Sequence, residues 1–186
     1  MDALSAVKTG LFVVLSAPIV WVSRKSIRHP GSHGFYRFFA WEAIALLFVM
    51  NVEHWFEEFF SPIQILSSIL LTIGLIIVLE AVRLLKIIGR PRDTGESDEY
   101  HFEQTTQLVT VGAYRWIRHP MYSSLLFLTW GIYLKNPTPL TTAVAVAATA
   151  LLYATARADE REDIARFGDE YREYMGATKR FIPFVW

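Results

Sequence analysis

No cysteine occurs among the 186 residues, which excludes disulfides, a thiol nucleophile and thiolate metal sites. Net charge is absent as well, since 18 Lys and Arg balance 18 Asp and Glu. No global field draws the chain to nucleic acid, and no nucleic-acid partner is expected. A Gly-x-Gly-x-x-Gly run after a strand, a phosphate-binding loop and a serine nucleophile elbow are all missing. His29 and His33 stand four apart, but Pro30 and Gly31 intervene. They break the helix face on which two such ligands would meet, so no metal site is expected.

Hydrophobic residues make up 53% of the chain. A soluble domain of this size seldom needs so many near-uninterrupted apolar runs. At a rise of ~1.5 Å per residue, a hydrocarbon core of ~30 Å takes ~20 apolar residues. With their flanks counted, five segments are candidate spans: residues 9–22, 35–52, 63–88, 121–134 and 139–156. The first is closed by Arg24 and Lys25, with no small-x-small cleavage site after it, and reads as a retained helix rather than a secretory signal. The expected fold is all-α. It is a polytopic membrane protein of about five transmembrane helices, a single integral membrane domain over 1–186, with the bilayer as its first partner.

Lys and Arg fix the expected orientation. With the N-terminus outside, five spans leave every Lys and Arg except Lys8 and Lys135 on inner segments, while the loop between the second and third spans carries Glu53, Glu57 and Glu58. That asymmetry predicts a cytoplasmic C-terminus and a cytoplasmic loop at 89–120. Residues 1–88 are then three spans on the lipid-pocket side, and 121–186 a hairpin with a C-terminal tail. Residues 108–114 read as a short β-rich run ended by glycine. Residues 159–175 read as one amphipathic helix, with Ile164, Phe167, Tyr171, Tyr174 and Met175 on one side.

Two polar clusters bracket the last two spans. Tyr114, Arg115, Arg118, His119 and Tyr122 crowd the entrance, with Pro120 at a natural first-turn position. Asp159 and Glu160 follow the exit. Between the spans, Pro137 and Pro139 favour a turn. A chain that crosses and returns brings both clusters to one water–lipid boundary. There they serve either as interfacial anchors or as a site whose acids and arginines hold the two ends of a zwitterionic small molecule.

The ordered motifs resemble a known family. Leu108-Val109-Thr110, Gly112, Tyr114-Arg115, then Arg118-His119-Pro120 and Tyr122, a hairpin, the acidic pair, and Phe167-Gly168 with Glu170-Tyr171 and Tyr174 are similar to the isoprenylcysteine carboxyl methyltransferase and phospholipid methyltransferase group of integral membrane enzymes. The likeness runs from about 108 to 183. It implies S-adenosylmethionine as cofactor, bound on the cytoplasmic side between the pre-hairpin loop and the tail, and a lipid or lipid-anchored substrate. By position it implies that Gly112 and Tyr114 line the cofactor loop, that Arg118, His119 and Tyr122 form the core motif, and that Asp159 and Glu160 complete it. Phe167, Gly168, Tyr171 and Tyr174 would cap the pocket.

Three positions depart from that pattern: Ala113 where proline is frequent, Ser124 where glycine is common, and Asp159 where glutamate is usual. On this reading Glu160 holds the α-ammonium of the cofactor and Arg118 its carboxylate. An amine acceptor would need a base, His119 or Glu160, whereas a carboxylate acceptor needs none. Two other readings stay open at this point: a membrane oxidoreductase using a nicotinamide cofactor, and a membrane protein without enzymatic activity. Oligomeric state is not legible.

Overall fold

The computed structural model describes residues 3–90 and 105–185. Among them the chain forms six α-helices: α1 Ala3–Ser23, α2 His33–Asn51, α3 Pro62–Ile87, α4 Pro120–Tyr133, α5 Pro139–Phe167 and α6 Asp169–Ala177. Local chemistry sets their starts. Ser32 caps α2 by accepting the Phe35 N–H at 3.1 Å. Thr138 and Thr141 form a reciprocal capping box at α5, and Pro62, Pro120 and Pro139 stand in first turns, where a missing N–H costs nothing.

α1, α3, α5 and the segment His33–Trp55 are long and apolar enough to cross a bilayer. The protein is a polytopic, all-helical membrane protein. The fourth predicted span is present as α4, but its 14 residues rise only about 21 Å, short of a hydrocarbon core. The end of α4 is received inside the protein instead. Asn51, Ser67 and Gln64 donate to the carbonyls of Ile132 (2.9 Å), Gly131 (2.7 Å) and Lys135 (3.0 Å). Side chains of α2 and α3 thus satisfy carbonyls that a longer helix would carry to the interface.

The most extensive packing is α2 on α5 and α3 on α4, with the two helices of the hairpin, α4 and α5, packed less extensively on each other. The α5 face is made of small residues at helical spacing: Ala145, Ala148 and Ala156, with Leu152 among them, are fully buried and share one core with Ala40, Ile44 and Leu47 of α2. Small side chains let the two backbones approach without help from a hydrophobic effect, which lipid does not supply. This pairing carries the start of α2 to the end of α5.

Two local expectations are corrected. Residues 108–114 form no strand: Gly112–Arg115 is a 3-10 turn, and among the described residues the single strand-like pairing is a parallel bridge between Ile117 and Lys179. Nor is 159–175 one helix. α5 runs unbroken from the apolar span to Phe167, and Gly168, at φ +62 and ψ −129, turns the chain before α6 begins. A side chain is strained in that conformation, so glycine marks the break. Of the expected loop at 89–120, residues 91–104 lie outside the described residues.

Candidate active site

The entrance to α4 is built in three layers. Gly112, at φ +59, lies against α3, where an added Cβ would come within 2.6 Å of Glu80 Oε1. This close approach turns the chain so that Tyr114 is buried beside Ala81 and Val109. The C-terminal tail then runs along 116–119: the Lys179 N–H donates to Trp116 O at 3.1 Å, Arg118 N–H to Lys179 O at 2.9 Å and His119 N–H to Arg180 O at 3.2 Å. Ser123 Oγ donates to Phe181 O at 2.8 Å, and the Tyr174 hydroxyl to Tyr114 O at 2.6 Å. Tail and entrance therefore hold one another in register.

The acidic pair meets the first cluster, and its two members stand in different surroundings. Glu160 receives Arg118 Nε at 2.6 Å, Arg180 Nε at 2.9 Å and Arg180 Nη2 at 2.8 Å. Its side chain is only 7% exposed. Asp159, next to it in sequence, is 25% exposed and lines a cleft. One of its oxygens is 3.4 Å from His119 Nδ1 and the other 3.9 Å from His33 Nδ1. Adjacent helix positions point about 100° apart, so one carboxylate serves the protein while its neighbour faces the opening.

His119 is buried, stacked on Tyr122 with centroids 5.4 Å apart. Among the described residues its Nε2 has no close hydrogen-bond partner, and it stands 3.5 Å from Glu160. Burial works against a charged ring here, but Asp159 and Glu160 outweigh it and raise the pKa above its ordinary value. The Glu160 hydrogen bonds likewise raise the Arg180 pKa.

The cleft encloses about 670 Å³, counting its open mouth. Leu85, Leu108, Val109, Met121, Tyr122 and Phe167 give it apolar and aromatic walls. Asp159, Asp163 and Phe167 follow one another at helical spacing along one face of α5, and all line it. Tyr171, 2% exposed, also lines it, and its hydroxyl has no close hydrogen-bond partner among the described residues, the Asp163 carboxylate interacting with it from a longer range. Burial, then the charges of Asp163 and Asp159, push that hydroxyl far above the usual tyrosine range, so it stays a neutral donor.

Of the residues singled out in the sequence, Tyr114, Arg118, His119, Tyr122, Asp159 and Tyr171 line the cleft, as do Phe167 and Tyr174. Gly112 and Glu160 do not; they shape the turn and pin the tail. Sequence reading missed His33, Asp163 and Arg166 as cleft residues. The step of four from Asp159 to Asp163 and on to Phe167 was a usable signal. For His33, 126 residues before Asp159, there was none.

The family model for phospholipid methyltransferases matches residues 63–167, more than half of the chain. This chain belongs to that family. Among its curated relatives, a probable protein-S-isoprenylcysteine O-methyltransferase of Oryza sativa subsp. indica is 31% identical over 147 residues, which is 76% of this chain and 69% of that protein. Protein-S-isoprenylcysteine O-methyltransferase A of Arabidopsis thaliana is 31% identical over 144 residues, 75% of this chain and 66% of the relative. A methanethiol S-methyltransferase of Mycobacterium tuberculosis is 31% identical over 74 residues, 38% and 28% of the two chains. No solved structure matches. The protein is therefore a membrane methyltransferase, which sets aside the oxidoreductase and non-enzymatic readings. The matched region of this phospholipid methyltransferase family member spans α3 to α5, so His33, Tyr171 and Arg180 lie beyond it.

Proposed function

We infer that the protein transfers the methyl group of S-adenosylmethionine to an acceptor presented by a membrane lipid or a lipid-anchored molecule, at the cytoplasmic interface. The observation that carries this reading is the pairing, in one apolar-walled cleft, of the Asp159 carboxylate with the buried Tyr171 hydroxyl, which has no close hydrogen-bond partner among the described residues. A buried donor without a protein partner is costly unless a ligand meets it. The donor molecule offers a cation for Asp159, acceptor atoms for Tyr171 and a flat apolar base for the walls, so the residues present fit it. The Lys and Arg asymmetry along the chain supports the cytoplasmic side.

In this reading Asp159 holds the α-ammonium. Arg118 has Nε and Nη1 engaged by Glu160 and Thr178 O and turns its remaining N–H group to the carboxylate. When bound, S-adenosylmethionine supplies an electrophilic methyl group on a sulfonium. The protein's contribution is to orient the reactants and exclude water, for which buried Tyr114, Tyr122, Tyr171 and Tyr174 are suited.

Neither residue first considered as a base suits that task. Glu160 is committed to two arginines, and Asp159 and Glu160 shift His119 toward its protonated form. An acceptor that arrives as an anion needs neither, and a carboxylate on a lipid-anchored group fits better than a phospholipid amine. The Oryza and Arabidopsis relatives are named for such an acceptor.

The test is methyl-labelled S-adenosylmethionine with the protein in lipid nanodiscs, offered N-acetyl-S-farnesylcysteine, phosphatidylethanolamine or methanethiol in turn. Label in the farnesylcysteine ester is expected. Label in the phosphatidylethanolamine headgroup alone would overturn the choice of acceptor, and no label with any acceptor would count against the activity itself.

A further inference from the structure

We propose that His33, at the start of α2, is a positioning residue for the donor site: it fixes the cleft-facing Asp159 carboxylate from the side opposite His119. The inference rests on the reading of Asp159 given above and adds a residue from outside the region the family model matches. His33 is buried and lines the cleft. It is itself clamped, because the two oxygens of Glu162 take its backbone N–H, at 2.9 Å, and its ring Nδ1. A ring held at both backbone and side chain has little rotational freedom left. From that position Nδ1 stands 3.9 Å from Asp159 Oδ1, while His119 Nδ1 stands 3.4 Å from Oδ2. Two imidazoles, one from each half of the chain, thus bracket one carboxylate that lines the cleft.

The arrangement has a cause in the packing. The alanine face of α5 against α2 sets the start of α2 beside the last turns of α5. Arg161 donates from Nη2 to Gly31 O at 3.1 Å and ties down the turn that leads into α2. Without these contacts Asp159, a quarter exposed, would sample rotamers pointing away from the ligand. Preorganisation of this kind acts on donor affinity and not on the chemical step. The ligand atoms of His33, Asp159 and Glu162 also lie within 4.8 Å of one another. With Nδ1 hydrogen-bonded to Glu162 and 3.9 Å from Asp159, we read the trio as a packed support, hydrogen-bonded between His33 and Glu162, rather than a metal site.

The test measures S-adenosylhomocysteine affinity by calorimetry, and the donor KM and kcat, for the full protein in nanodiscs. His33→Leu should raise the dissociation constant and donor KM about tenfold while kcat and acceptor KM stay within twofold. His33→Asn, whose amide N–H stands near the place of Nδ1, should recover most of the loss. A merely structural role would lower kcat per purified protein together with thermal stability and leave donor KM alone. Should His33→Leu fail to fold, Glu162→Gln, at a residue about a third exposed, should still weaken donor binding about threefold. Unchanged donor affinity in a folded His33→Leu or Glu162→Gln would overturn the inference, as would loss of affinity on treating the native protein with EDTA. Absence of S-adenosylhomocysteine binding to the native protein would instead remove the donor reading on which it rests.

Discussion

Arg180 closes on Glu160 with both Nε and Nη2, at 2.9 and 2.8 Å, twenty positions further along the chain. The contact fastens the C-terminal tail across the entrance of α4 and occupies both oxygens of Glu160. Arg180→Ala should lower stability by about 2 kcal/mol, the scale of hydrogen bonds to a charged group. It should also loosen the tail at Thr178 and Phe181. Thermal unfolding and hydrogen exchange of the tail amides check both.

The neighbouring acids should separate cleanly. On the proposed reading Asp159→Asn removes a charge-assisted contact to the donor, and it is expected to weaken donor binding by about 10- to 100-fold with little change in thermal midpoint. Glu160→Gln breaks the arginine pin and should mainly lower the midpoint. Calorimetry and thermal melts on the two variants make the comparison, and the reverse pattern would return the ligand role to Glu160.

Tyr171→Phe should change stability little, because the hydroxyl it deletes has no close hydrogen-bond partner among the described residues. Donor affinity should fall about fivefold. A loss of stability without a loss of affinity would mean that the hydroxyl serves the fold.

His119 gives the pH dependence. Its folded pKa is raised above the ordinary 6.5 because Asp159 and Glu160 outweigh the effect of burial. A group of this kind stabilises the fold fully below the unfolded value of 6.5, and that contribution is lost as pH rises through the higher folded value. The stability gap between the native protein and His119→Gln should therefore be widest in mild acid, at about 1–3 kcal/mol, and narrow toward alkaline pH. Melts of both proteins across that range are the measurement.

Much of this architecture was legible in the sequence. Apolar runs marked α1 to α5, four of them long enough to span a bilayer, because lipid demands internally bonded backbone wherever it touches the chain. Pro120 stood at a helix start for the reason that governs any first turn. What could not be read was which face a residue would present. Asp159 and Glu160 are neighbours of like charge, and their different environments depend on Arg180 and His33, both remote in sequence. The end of α5 was misplaced for a related reason. Polar residues after Ala158 suggested a new element, yet hydrogen bonding within a helix does not stop where apolar side chains do, and only Gly168 breaks it. The β-rich run at 108–114 was overridden by the pressure of Gly112 against α3.

The central claim is that the cleft beside Asp159 binds an S-adenosyl donor, and calorimetric titration of the native protein in nanodiscs with S-adenosylhomocysteine tests it most directly. Saturable micromolar or tighter binding, with NADPH giving none, is the predicted result. NADPH binding in its place, or no heat from either ligand with folded protein, would contradict the account.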